Sequence, residues 1–528
     1  MDSTKHFIKS RIASDVASGK TPKVVLRFPP EPNGYLHLGH VKSAVLNASL
    51  AEEFDGELNL RFDDTNPKKE STEYVEAILR DARWLTPGFT RVLWTSSYFP
   101  DIYRCAVHLI SKGLAYVDDC TPDEMKAMRG DFGRPGVNSP CRDRSVAANL
   151  ALFERMRRGE FAEGEKVLRA RIDMAHPNLN MRDPALYRVS FAEHHATGTA
   201  WCIYPMYDFA HPLADALEGI SHSLCTLEFE DHRPLYDWVI ESCADLLPAR
   251  PVQVEFARME AEGVVLSKRK LSALVSGGHV AGWDAPEMPT VAGLRARGYT
   301  ADMLREFVLR CGFSRSNSTV SLDVLEGCVV DALGPTAERR IAVMDPVELV
   351  LENLEAPLSV AFANHPKDPS RGMRTRTLTP RLWVERDDVR AVPEDGFWRL
   401  APGNWVRLKN GLNLLVSRVE TDAAGRATRV LAEADLPSVD MKAAKHKAKA
   451  VIHWLSEEDA SPLVVHRYGP LFDAAGAFNP DSVRTRESKV EKGVPPSTHY
   501  EFERVGYFWV DDAGAAHALA SLKGANKR

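Results

Sequence analysis

Residues 23–62 leave this chain little topological choice. Lys23-Val-Val-Leu-Arg-Phe28 is a short apolar run with β-branched content, and Pro29-Pro30 ends it, the pattern of a buried strand. Glu31-Pro-Asn-Gly-Tyr-Leu-His-Leu-Gly-His40 follows, and then Val41, Val45, Ala48 and Phe54 fall roughly on one face, which predicts a helix. Leu58-Asn-Leu-Arg-Phe62 reads as the next strand. Strand, glycine-containing loop, helix and strand make a βαβ unit. Such a unit implies a parallel sheet with a ligand site at the strand ends.

Helices are predicted over 72–85 and 101–113. Gly130 to Pro140 is turn-rich and reads as a hairpin loop, and Val146 to Arg158 as a helix. Apolar character returns at Trp201 to Phe209, with helical patterns to about residue 245, so the preceding region reads as an insertion within the parallel-sheet domain. Residues 269–334 are mostly helical in pattern. After about residue 335 the chain turns to short strand candidates: 404–410, 412–419, 451–455, 462–468 and 502–510, with Asp422-Ala-Ala-Gly425 as a turn. Many short strands between turns predict β-barrels or a sandwich. The expected fold is a multidomain α/β protein. A Rossmann-like parallel-sheet domain is expected over 23–99 and 201–258, an inserted domain over 100–200, a helical domain over 259–334, and two β-barrels over 335–528.

Composition excludes several classes. The chain has 528 residues, which predicts three or four domains at roughly 150 residues each. It is 44% hydrophobic and 27% charged, ordinary globular values that rule out collagen-like and disordered chains. The longest stretch without Asp, Glu, Lys or Arg is the 14 residues from His194 to Tyr207, too short for a membrane span of about 20. Met1 to Asp15 mix acids and bases with no apolar core, so no secretory signal is expected. Eight cysteines with no CxxC pair fit reduced thiols and a cytoplasmic location. Residues 335–528 carry 28 basic and 27 acidic residues, leaving −7 of the net −6 on the first 334. Two basic clusters lie there: Arg371, Arg374, Arg376 and Arg381, then Lys442, Lys445, Lys447 and Lys449. Solvated loops explain them as well as an RNA-binding patch does.

Three groups carry chemistry. His37 and His40 sit at a helix start with i, i+3 spacing, so both imidazoles reach one spot, and Gly39 lets a flat ring approach the backbone. The helix N-terminus favours an anion, and the combination suits a nucleotide with its phosphates. An isolated HxxH is also common on surface helices. Zinc would need a third ligand, and the chain has no HExxH. Asp63-Asp64 ends the second strand, where two carboxylates can read a positively charged group such as an α-amine; a solvated turn is the alternative. Lys268 and Lys270 flank Arg269, a pattern equally at home on a basic surface loop.

Taken together, these elements resemble the glutaminyl-tRNA synthetases, class I aminoacyl-tRNA synthetases. Arg27-Phe-Pro-Pro-Glu-Pro-Asn-Gly-Tyr-Leu-His-Leu-Gly-His40 is similar to that family's HIGH region, and Val265-Leu-Ser-Lys-Arg269 to its KMSKS loop. Arg61 to Pro67, Asn138 to Arg144, Trp201 to Phe209 and Leu224 to Phe229 match further stretches. The resemblance is strong from about residue 23 to 312 and scattered beyond.

The resemblance implies that glutamine is activated by attack of its carboxylate on the α-phosphorus of ATP, then moved to the 2′-hydroxyl of the terminal tRNA adenosine. It implies that His37, His40 and Lys268 are catalytic: the histidines donate to ATP phosphates, and Lys268 neutralises pyrophosphate. Nucleotide-binding positions are Glu31, Pro32, Asn33, His37, Leu38, Gly39, His40, Val41, Lys42, Ser43, Thr226, Arg258, Met259, Leu266, Ser267 and Lys268. Asp63 pairs with the α-ammonium and Tyr207 with the side-chain amide. On the tRNA side the matching positions are Phe132, which wedges the first acceptor pair, Asp231 in the acceptor minor groove, and Arg407 and Lys409 at the anticodon. Phe132 and Lys409 depart from the expected Leu and Arg, and Leu266 from Met. Partners are ATP with Mg²⁺ as a substrate complex, L-glutamine and tRNA(Gln), with no structural metal and a monomer expected.

The nearest alternative is a glutamyl-tRNA synthetase of the archaeal and eukaryotic type. A glutamate enzyme wants a cation near the substrate carboxylate, where the alternative resembles Arg; this chain has Cys225, and a neutral thiol favours glutamine. A non-catalytic tRNA-binding paralogue is opposed by the presence of His37, Gly39, His40, Ser267 and Lys268 together.

Overall fold

The computed structural model describes residues 6–522; the ends of the first and last expected segments, 1–5 and 523–528, lie outside the described residues. Helix α1 (Phe7–Ala17) precedes the predicted βαβ unit and seats Ile8 and Ile12 against Leu26, Leu46 and Leu224. Strand β1 (Val25–Phe28), helix α2 (Leu38–Glu53), strand β2 (Glu57–Phe62), helix α3 (Thr72–Leu85) and strand β3 (Arg91–Trp94) follow. β2 pairs in parallel with both β1 and β3. All four residues of β1 are buried, Arg27 included, as a strand between two covered faces requires.

A second parallel pair, His222–Thr226 with Val252–Phe256, lies alongside β1, where Ser221 N–H donates to the Val25 carbonyl at 2.9 Å. The layer thus runs β3, β2, β1, 222–226, 252–256, and the strand order reverses beside β1. The crevice outside the strand C-termini at such a reversal is where open α/β sheets hold ligands. His222–Thr226 corrects the expectation of helix to about 245. Tyr207–Glu218 is helical but ends at Gly219, whose φ of 73° caps it, before the strand begins.

Between these halves stands an antiparallel sheet of Ala115–Asp118, Val167–Ala170, Ala185–Val189 and Ile203–Pro205. Its helices are Pro122–Arg129 and Val146–Arg157, and Asp131 and Arg134 close the predicted hairpin. Downstream come the helices Lys268–Ser276, Val291–Ala296, Ala301–Cys311 and Asp323–Leu333, with a parallel ribbon of Met259–Ala261 and Ser318–Val320 that the helical pattern did not predict.

The C-terminal part holds two seven-stranded, barrel-like sheets. One contains 405–408, 413–421 and 427–435; the other contains 460–468, 483–491 and 498–521. The first basic cluster is not a solvated loop throughout. Arg374 and Arg376 alternate on the strand Met373–Leu378 and close on the fully buried Glu491 at 2.7 and 3.1 Å, joined by Arg340 at 3.3 Å. The lysines at 442–449 are exposed.

Candidate active site

The crevice beside β1 is a cavity of about 1110 Å³. His37 is the N-cap of α2: its Nδ1 accepts the Gly39 N–H at 3.1 Å, and the Nδ1 of His40 accepts the His37 N–H at 3.1 Å. With both Nδ1 atoms acting as acceptors, the hydrogen of each neutral ring sits on Nε2. The rings lie 3.9 Å apart, centroid to centroid. Burial, reinforced by the charge of Lys268, pulls His37 down to about 4; burial, His37 and Lys268 hold His40 well below its ordinary value. Both are therefore neutral Nε2–H donors at physiological pH. A Cβ on Gly39 would crowd the His37 ring, at 3.0 Å from Cε1.

Lys268 opens the helix Lys268–Ser276, and burial pulls its ammonium down to about 8 against the attraction of Glu31. A methyl group on Gly34 would overlap Lys268 Cε, so Gly34 keeps open the place that the lysine occupies. The HIGH-like and KMSKS-like segments, 225 residues apart in sequence, thus converge on one cavity end.

Asp63 lines the same cavity. Its carboxylate is buried and hydrogen-bonds to no described residue; burial, opposed by Arg61, raises it to about 7. Asp64 does not join it. Its oxygens take the Ser96 N–H at 2.8 Å and the Ser96 hydroxyl at 2.6 Å on the opposite side, because successive residues leaving a strand face opposite ways. The pair expectation therefore reduces to Asp63 alone.

Tyr207 lines the cavity with its hydroxyl 2.6 Å from His211 Nδ1. His211 Nε2 lies 2.9 Å from Asp215, which is fully buried between Arg27 at 3.0 Å and Arg61 at 2.6 Å; Arg61 also lies 3.5 Å from Glu218. Two guanidinium groups thus face two carboxylates, and this wall carries no net charge. Cys225 lines the cavity beside it, and burial pushes its thiol up, so it is neutral.

Of the other predicted nucleotide positions, Glu31, Lys42, Ser43, Thr226, Arg258, Met259, Leu266 and Ser267 line the cavity. Leu38 and Val41 instead belong to the core behind it, and Pro32 and Asn33 shape the turn before α2 without lining it. Arg258 reaches Glu228 at 2.7 Å and also pairs with Glu260. Phe132 is 88% exposed at the hairpin tip. The Asp231 carbonyl receives Asn178 at 2.6 Å and Asn180 at 3.2 Å from the inserted region. Arg407 spends its guanidinium on Asn413, Gly411 and Ser438, and Lys409 pairs with Glu503, so both engage protein partners.

Four residues escaped the sequence reading. Gly34 and the relay His211–Asp215 lay within quoted stretches or one and two helix turns beyond Tyr207, where i, i+4 spacing marks a shared face. Arg188, on Ala185–Val189, lines the cavity with no carboxylate partner among the described residues. Nothing local in the sequence distinguishes it.

Comparison with known proteins bears on this geometry. The family model "tRNA synthetases class I (E and Q), catalytic domain" matches residues 23–334, and two models of the same family's anti-codon binding domain match 337–435 and 451–511. The chain is 47% identical over 524 residues to the "Glutamine--tRNA ligase" of Enterobacter sp. (strain 638), covering 96% of this chain and 94% of the relative. It is likewise 47% identical over 523 residues to the protein of that name from Shigella boydii serotype 4 (strain Sb227), with the same coverage. A crystal structure of a glutamate tRNA ligase from Elizabethkingia meningosepticum aligns with a TM-score of 0.44 at 18% identity, covering 60% of this chain and 70% of that one. With paired neutral histidines at a helix start, a converging lysine and family matches from residue 23 to 511, the chain belongs to the class I tRNA synthetases of the E and Q family.

Proposed function

We propose that the chain is a glutamine–tRNA ligase. It activates L-glutamine with ATP to glutaminyl-adenylate, releasing pyrophosphate, and transfers glutamine to the 2′-hydroxyl of the terminal adenosine of tRNA(Gln), releasing AMP. The observation that carries glutamine over glutamate is the charge-matched wall around Cys225: Arg27 and Arg61 are spent on Asp215 and Glu218, and the thiol is neutral. A substrate carboxylate buried there has no partner and pays its desolvation, whereas an amide does not. The relatives, matched over 94% of their own length, carry the glutamine name.

The chemistry needs no side-chain nucleophile; position and charge do the work. Asp63 holds the α-ammonium and Tyr207, oriented by His211, the side-chain amide, which aims the substrate carboxylate at the α-phosphorus. Nε2–H of His37 and His40 donate to phosphate oxygens as charge builds on them. Lys268 pairs with the departing pyrophosphate. Mg²⁺ enters with ATP as part of the substrate. Arg188 takes a phosphate of the acceptor end, Phe132 works on the first acceptor pair, and Asp231 reads the stem. Arg407 and Lys409 exchange their protein partners for the anticodon. The domain division proposed is 23–99 with 201–258, 100–200, 259–334 and 335–528, with the strand Ile203–Pro205 serving as the last strand of the inserted sheet. The enzyme acts as a cytoplasmic monomer. Incubation with ATP, glutamine and tRNA(Gln) tests the reading: AMP and pyrophosphate form together with charged tRNA. Absence of charging by protein that binds ATP would contradict it.

A further inference from the structure

Behind Asp63 lies a polar cluster that the chemistry above does not use. His194 and His195 belong to the loop that ends the inserted region, where His194 and Gly198 exchange backbone hydrogen bonds at 3.0 and 2.8 Å. His194 is 1% exposed. Its Nδ1 accepts the N–H groups of Ala196 and Thr197 at 3.1 and 3.2 Å, so its hydrogen sits on Nε2, 2.8 Å from the Asp64 carbonyl. His195 Nε2 lies 3.1 Å from Asp64 Oδ2, whose carboxylate is also held by Ser96. Asp64, His194 and His195 approach closely enough to chelate a cation. However, the Nε2 hydrogen of His194 is already committed to a carbonyl, which makes this a hydrogen-bonded clamp.

The clamp acts on one short turn. On one side of Asp63, its own N–H donates to the Pro30 carbonyl at 3.0 Å; on the other, Asp64 is gripped through both its carbonyl and its carboxylate. The Asp63 carboxylate between these fixed points has no hydrogen bond of its own among the described residues, so the backbone on either side sets where its Cα–Cβ bond points. An unpaired buried carboxylate left free to turn would find some other partner.

We infer that His194 and His195 are positioning residues: they fix the Asp63 turn from the inserted region and so set the carboxylate that receives the α-ammonium of the amino acid. This rests on the proposed role of Asp63. It also gives the inserted region, which grips RNA in the proposed function, a direct mechanical hold on the amino-acid end of the cavity.

The test uses the full-length enzyme with saturating tRNA, varying glutamine at saturating ATP and ATP at saturating glutamine. His194→Ala should raise the KM for glutamine about tenfold, with the KM for ATP within about twofold, as loss of one orienting hydrogen bond near a single substrate predicts. His194→Gln, which can place an amide N–H near the same carbonyl, should recover most of the loss. In a double-mutant cycle, His194→Ala should add little to Asp63→Asn, because both act through one carboxylate. Equal rises in the KM for ATP and glutamine, no rise at all, or full additivity with Asp63→Asn would overturn the inference. Should His194→Ala fail to fold, the partly exposed His195→Ala decides by the same criteria. The two failures are distinguishable: an Asp63→Asn variant with unchanged glutamine KM removes the Asp63 reading itself, whereas a raised KM there beside a silent His194→Ala removes only the clamp.

Discussion

At the scale of single residues, Asp63 and Lys268 make opposite demands on pH. The Asp63 carboxyl, raised by burial to about 7 from an ordinary 3.8, is ionised only above that value, so kcat/KM for glutamine should fall as pH drops below about 7. The same shift costs stability. A carboxyl raised in the folded state favours folding at low pH, and that contribution is lost as pH rises through about 7. Asp63→Asn should therefore raise the thermal midpoint above pH 7 while removing the acid limb and most activity, a pairing that calorimetry and a pH–rate profile check together. Lys268→Ala should lower the rate of pyrophosphate exchange by roughly 10²–10³, the size of one lost transition-state donor, with tRNA affinity unchanged; an equal loss of tRNA affinity with normal exchange would place the loop elsewhere. His37 and His40 were legible from the sequence because their i, i+3 spacing and helix start are local. Asp64 was misread because strand alternation, which turns it away from its neighbour, acts at every other residue and not on pairs.

At the scale of elements, the βαβ unit and most C-terminal strands could be read from apolar runs and turns. The strand His222–Thr226 could not: His, Ser, Cys and Thr make four of its five residues, and its burial comes from the two strands beside it rather than from its composition. The arginines near 374 misled for a related reason. Alternation on a strand puts Arg374 and Arg376 on one face, and their partner Glu491 lies more than a hundred residues away. Three guanidinium groups around one buried carboxylate predict a severe substitution. Glu491→Gln should destabilise the C-terminal sheets by about 3–5 kcal/mol, the usual cost of leaving buried charge uncompensated. Denaturant unfolding followed by tryptophan fluorescence measures it. A loss below about 1 kcal/mol would mean that the arginines reach solvent.

At the scale of the whole molecule, the inserted region touches the amino-acid end of the cavity twice. Asn178 and Asn180 hold the Asp231 carbonyl, in the 227–232 segment whose Phe229 ring lies 5.2 Å from Tyr207, and His194 with His195 holds Asp64. In the proposed function, RNA bound to the insertion would favour the closed pocket by differential affinity. ATP–pyrophosphate exchange with glutamine should therefore require tRNA, and a tRNA that has an intact terminal adenosine but cannot be charged should restore it. Full exchange without RNA would show a preformed pocket. The resemblance to the family was legible because its motifs are contiguous, whereas these two contacts join segments 53 and 130 residues apart and emerge only in the fold. The central claim is that the charge-matched wall around Cys225 selects the amide. It is tested most directly by charging tRNA(Gln) in an equimolar mixture of glutamine and glutamate and identifying the esterified amino acid by mass. Glutamine as the single dominant product is the predicted result; glutamate as the dominant product would contradict the account.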